Sequence, residues 1–108
     1  MRRCYSVFRM TVQVPDLEEA RSIVLKGLGS HPAKVWLFGS WARGEARRYS
    51  DIDVAISPSK PLPPGLLLEI EEALDQSGVL YPVELVDLTT ASQSLRERVA
   101  TEGIPWNA

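Results

Sequence analysis

The chain of 108 residues has little of what staples small proteins together: one cysteine, Cys4, and one histidine, His31. A lone cysteine forms no internal disulfide and no cysteine-based metal site, and an unpaired thiol suits a reducing, cytoplasmic setting. Aromatic residues are few at 7%, and no apolar run approaches the ~20 residues that cross a bilayer. The opening Met1-Arg2-Arg3 runs into Cys4-Tyr5-Ser6-Val7-Phe8-Arg9, too interrupted for the core of a signal peptide. An excess of either charge is missing as well. Twelve basic against fourteen acidic residues give a net charge of −2, so the whole-molecule field attracts neither nucleic acid nor an anionic membrane. What remains, 44% hydrophobic and 24% charged, is the composition of one domain, long enough for a single core and too short for two.

Phe8, Met10, Val12 and Val14 alternate with Arg9, Thr11 and Gln13, which predicts a half-buried edge strand in an N-terminal extension, residues 1–14, ahead of a domain over 15–108. After Pro15-Asp16 the period lengthens, and Leu17, Ala20, Val24 and Leu28 predict a helix stopped by Gly27 or Gly29 with Pro32. The continuous apolar run from Ala33 to Phe38 reads as a strand buried on both faces. Gly39 to Ala46 reads as a turn into a short helix, and Ile52 to Ser57 as a second strand. Four prolines between Pro58 and Pro64 make a stiff linker. Leu66, Leu67, Ile70, Ala73 and Leu74 mark a further helix, and Tyr81 to Leu88 a third strand. Thr89 or Thr90 then caps a last helix striped by Ala91, Leu95, Val99 and Ile104. The alternation predicts an α/β (α+β) fold, a small mixed sheet with helices packed mainly on one face. The other face would be partly open and apolar, which points to association with itself or with a partner.

The chemistry lies in Leu37-Phe38-Gly39-Ser40 and, ten residues later, Asp51-Ile52-Asp53. A buried strand that breaks at Gly39-Ser40 and opens a helix lets an anion approach the backbone, so the turn suits a phosphate. On the next strand Asp51 and Asp53, at i and i+2, point to one face about 6.7 Å apart along the chain. A third acid lies on the later strand: Asp87, at its end, with Glu84, of opposite parity, as the competitor. Carboxylates gathered at ~5 Å repel by roughly 3 kcal/mol per pair at an effective dielectric near 20. A hard divalent cation relieves that repulsion, and Mg²⁺ prefers a shell of carboxylates, water and substrate phosphates. Two such ions beside a phosphate-holding turn suit phosphoryl or nucleotidyl transfer from a nucleoside triphosphate.

Gly39-Ser40, the ten-residue gap, Asp51-Ile52-Asp53 and the later Asp87 resemble the polymerase-beta-like nucleotidyltransferase superfamily. The segment Trp41-Ala42-Arg43-Gly44-Glu45-Ala46-Arg47-Arg48-Tyr49-Ser50 resembles its minimal (MNT) branch. The resemblance implies that Asp51, Asp53 and Asp87 are catalytic and ligate two Mg²⁺ ions, and that Gly39, Ser40 and Arg43 bind the nucleotide, with ATP as substrate. It also implies a partner, a helical HEPN-domain toxin. The chain would be its antitoxin, either by transferring AMP to a tyrosine hydroxyl of the toxin or, as the alternative, by binding without catalysis. Arg47 and Arg48 read as surface, and three arginines beside acids release few counterions, so no nucleic-acid partner is expected. Trp41 reads as packing under the short helix rather than stacking on a base.

Overall fold

In the computed structural model, which describes residues 4–46 and 50–107 with side chains from Asp16 onward, eight elements follow one another. They are α1 (Cys4–Leu28), β1 (Ala33–Phe38), α2 (Ser40–Arg43), β2 (Ile52–Pro58), α3 (Leu66–Asp75), β3 (Val83–Asp87), α4 (Gln93–Glu102) and β4 (Ile104–Pro105). Arg47 and Arg48 lie outside the described residues. The sheet order is β3-β2-β1-β4. β1 runs antiparallel to β2 and β4, while β2 and β3 run parallel with α3 in the crossover between them, so the sheet is mixed as expected.

Strand parity divides the core in two. Val35 and Leu37 of β1, Ile52, Val54 and Ile56 of β2 and Leu85 of β3 face the larger cluster, where Ala20, Val24 and Leu28 of α1 and Ile70 and Leu74 of α3 cover them. Gly27 lets the two helices close up, because a side chain there would collide with Ile70. The opposite parity, Phe38 and Ala55 with Trp36 and Val86 beside them, meets Val99 and Leu95 of α4. Two helices therefore share one face and α4 covers only part of the other.

The strand expected over residues 4–14 does not form. From Cys4 the backbone is already helical and continuous with α1, and the described sheet ends at β3 and β4. An extended segment with no ladder leaves its N–H and C=O groups unpaired, whereas a helix pairs them internally, so the two-residue alternation is overridden.

The end of the chain departs from expectation in a second way. α4 is capped by Ser92, whose hydroxyl accepts the Leu95 N–H at 3.2 Å, rather than by Thr89 or Thr90. It stops at Glu102, so Ile104 leaves the helical stripe and pairs with Leu37 while Pro105 pairs with Trp36. Pro105 is admissible there because β4 is an edge. Trp106 is buried in the larger cluster, and its N–H donates to the Val35 carbonyl at 2.8 Å. The Asn107 side chain finishes the edge, accepting the Val35 N–H at 3.0 Å and donating to the Ala33 carbonyl at 2.7 Å.

Candidate active site

The site begins where β1 ends. Phe38 is paired with Asp53, so Gly39 emerges beside that carboxylate. Its φ of 80° and ψ of −157° lie where only glycine is comfortable, and a Cβ on it would strike the Asp53 side chain. Both effects press on Gly39→Ala in the same direction. This variant is expected to lose roughly 1–3 kcal/mol of stability and to displace Asp53. A thermal melt together with nucleotide affinity checks it, and wild-type values of both would contradict the geometry.

Ser40 opens α2, a single turn closed at Gly44 with φ 75°. Trp41 is buried under that turn, edge-on to Tyr81 with ring centroids 4.8 Å apart. Its indole N–H donates to the Ser50 carbonyl at 3.3 Å, tying the turn to the residue just before Asp51. Trp41 is thus a strut that packs, as its sequence context suggested.

The acids sort by parity. Ile52, Val54 and Ile56 are wholly buried in the larger cluster, which puts Asp53, and by spacing Asp51, on the sheet face shared with α4. In the parallel register Asp53 is opposite Glu84, whereas Asp87 is opposite Ile56. The acid of β3 that lies beside Asp53 is therefore Glu84, and not Asp87, the acid expected there. An offset of three residues is odd, so Asp87 takes the other face from Glu84, about 10 Å further along the strand. Its carboxylate is occupied in a turn, accepting the Thr89 N–H at 2.8 Å. Glu84 on an adjacent strand lies at the ~4.8 Å strand spacing from Asp53.

Burial first, then repulsion from Glu84 and Asp51, pushes the Asp53 carboxyl above the usual range, while Arg98 and Arg43 pull it partly back. Among the described residues no three acidic, histidine or cysteine side chains already stand as a metal-holding group. The donors available are all oxygen, carried on two rigid strands, and one of them is held at a cost that a cation would relieve. That chemistry fits Mg²⁺, which takes one or two carboxylates and completes its shell from phosphate and water.

Arg43 is held between two glutamates. Its Nε donates to Glu45 at 2.9 Å and its Nη1 to the Glu102 carboxylate at 3.1 and 3.3 Å. Glu102 also accepts the Gly39 N–H at 2.8 Å, and Arg98 lies 3.7 Å from it while reaching over the Phe38 ring. Burial raises the Glu102 carboxyl, but the Gly39 and Arg43 hydrogen bonds outweigh it and hold the group below the usual range. Glu102 and Arg98 were invisible in the sequence, since both reach the turn from some sixty residues away. Glu84 had a signal. The core parity of β3 is that of Val83 and Leu85, so an acid on the Asp53 face must sit at 84 rather than 87.

Residues 12–105 match the family model described as polymerase beta, nucleotidyltransferase. The chain belongs to that family. Among solved members, one described as a minimal nucleotidyltransferase is 35% identical with a TM-score of 0.66, over 82% of this chain and 91% of that one. A crystal structure of a toxin-antitoxin with AMP-PNP is 30% identical with a TM-score of 0.67, over 82% of this chain and 73% of that one. A protein named "Probable protein adenylyltransferase MntA" from Haemophilus influenzae is 40% identical over 63 residues, 58% of this chain and 55% of that relative. The chain spans about half the length of the curated relatives it matches. No described helix of this nucleotidyltransferase is long and apolar enough to cross a membrane.

Proposed function

We propose that this nucleotidyltransferase transfers AMP from ATP to a tyrosine hydroxyl of a HEPN-domain toxin and is that toxin's antitoxin, acting in the cytoplasm. The observation that carries this reading is that Asp53 is paired with Phe38, next to the Gly39-Ser40 turn, and lies opposite Glu84 on β3. The similarity to a toxin-antitoxin structure with AMP-PNP and to an adenylyltransferase supports it. Ser40 and the turn that Gly39 shapes receive the triphosphate, and Arg43 stands at the mouth of the turn.

Asp51, Asp53 and Glu84 would hold Mg²⁺, two ions by the family resemblance, and the metal supplies charge neutralisation at the phosphates. The attacking hydroxyl oxygen forms a bond to the α-phosphorus as the bond to the β-phosphate oxygen breaks, and pyrophosphate leaves. In this reading Asp53, the acid beside the Gly39 turn, takes the hydroxyl proton. The side chains here act mainly by position and electrostatics, as phosphoryl-type chemistry requires.

The test is direct. Incubated with the helical protein encoded beside its gene, Mg²⁺ and ATP labelled at the α-phosphate, the wild type is expected to label a tyrosine of that partner. EDTA should stop the labelling, and γ-labelled ATP should give none. No transfer from α-labelled ATP would overturn the enzymatic reading. Rescue from toxicity by an Asp51→Asn, Asp53→Asn double variant would favour the second reading, an antitoxin that works by occupation.

A further inference from the structure

Gly39 is buried, and its N–H, at the end of β1, has a single acceptor, the Glu102 carboxylate at 2.8 Å. A buried amide without a partner is expensive, so something within the fold must supply one. The supplier comes from the last residue of α4, 63 positions away, and it holds Arg43 with the same carboxylate at 3.1 and 3.3 Å. Arg98, one turn earlier on α4, closes the group at 3.7 Å. One side chain therefore fixes both the backbone of the phosphate turn and the direction of the cation beside it. Its own charge is shielded, since the side chain is 19% exposed between two guanidinium groups.

We infer that Glu102 is a positioning residue for the nucleotide: through the Gly39 amide and Arg43 it sets the shape of the turn that receives the triphosphate, without touching the reacting atoms. This rests on the nucleotidyltransferase reading above and adds to it a residue that neither the Gly39-Ser40 motif nor the acids contain. The carboxylate does two jobs that substitution separates. Glu102→Gln keeps an oxygen for the Gly39 N–H but loses the charge that steers Arg43, and Glu102→Ala loses both. The acids on β2 and β3 are untouched by either, so the chemical step itself should be spared.

The experiment measures affinity for AMP-PNP with Mg²⁺, and KM for ATP and kcat for transfer to the partner, in wild type, Glu102→Gln, Glu102→Ala, Arg43→Ala and the Arg43→Ala, Glu102→Ala double variant. A graded loss is expected: about tenfold in KM and in AMP-PNP affinity for Glu102→Gln and more for Glu102→Ala, with kcat within about threefold of wild type. In the Glu102→Ala background, Arg43→Ala should add much less than it does in wild type, because the two act as a unit, and the double variant reads that non-additivity. A thermal melt of each variant separates this from unfolding. Wild-type KM and affinity in folded Glu102→Gln and Glu102→Ala would overturn the inference, as would a loss of kcat and of affinity that only tracks a lowered melting temperature. Tighter AMP-PNP binding in Glu102→Gln would also overturn it, since Glu102 would then be a competitor of the phosphates. A wild type that neither binds AMP-PNP nor transfers AMP defeats the parent reading, and this inference with it.

Discussion

Asp53→Asn is expected to lower AMP transfer by about a thousand-fold or more while raising the melting temperature. The loss follows from its position, the only acid of the three both half-buried and adjacent to the Gly39 turn. Removing a metal-binding carboxylate forfeits several kcal/mol of charge stabilisation, and each ~1.4 kcal/mol is tenfold in rate. The gain in stability follows from the electrostatics. Burial and the neighbouring Glu84 and Asp51 raise the folded-state pKa of Asp53 above that of the unfolded chain, so the native protein binds this proton more tightly. The stabilisation from that proton is complete below the ordinary carboxylate pKa and is lost as pH climbs through the raised value. At neutral pH the ionised group is therefore a standing penalty. The amide removes it, so the melting midpoint should rise. The difference between wild type and variant should shrink as pH falls through the raised pKa of the wild-type group, and Mg²⁺ should narrow it from the other side. A variant that is inactive and less stable at pH 7 would mean that Asp53 is structural.

Glu84→Gln and Asp87→Asn are expected to separate cleanly. The first should reduce transfer by about a hundred-fold or more, the second by less than about twofold, in the same labelling assay with the partner protein. The register carries this prediction: Glu84 is opposite Asp53, and Asp87 is three residues on and turned to the other face. Asp87 is engaged by the Thr89 N–H, a bond that the asparagine oxygen can still accept, so folding should be little affected. The reverse outcome, an active Glu84→Gln and an inactive Asp87→Asn, would require β3 to shift by three residues against β2. Such a slip would also turn Leu85 out of the core, which makes the pair of variants a test of the strand register as well as of the site.

The sequence was most legible where one segment alone determines the structure. The run bounded by Pro32 and Gly39 could only be a buried strand, and it is β1 from Ala33 to Phe38. Leu17, Ala20, Val24 and Leu28 have helical spacing, and three of them are core residues of α1. Asp51 and Asp53 needed nothing beyond the two-residue repeat of a strand. Reading failed where the answer depended on a second segment. Which of Glu84 and Asp87 meets Asp53 is set by the crossover through α3, which no local pattern encodes. The alternation at 8–14 would make a strand only if another strand lay beside it, and among the described residues none does. Ile104 continued the stripe of α4 on spacing alone, yet pairing with Leu37 competes better for it. Glu102 looked like one more charge on a wet helix because its acceptor role is visible only once α4 lies across the end of β1.

The order in which these parts leave the ribosome matters for the site. By Asp87 every acid of the site has been synthesised, with all of the strands that carry them. The grip on Gly39, the ring of Trp106 in the core and the stitch of Asn107 to β1 arrive only with residues 102–107. A chain emerging from the ribosome thus owns its charges before its clasp, and the nucleotide turn is completed only after α4 and the short strand that follows it.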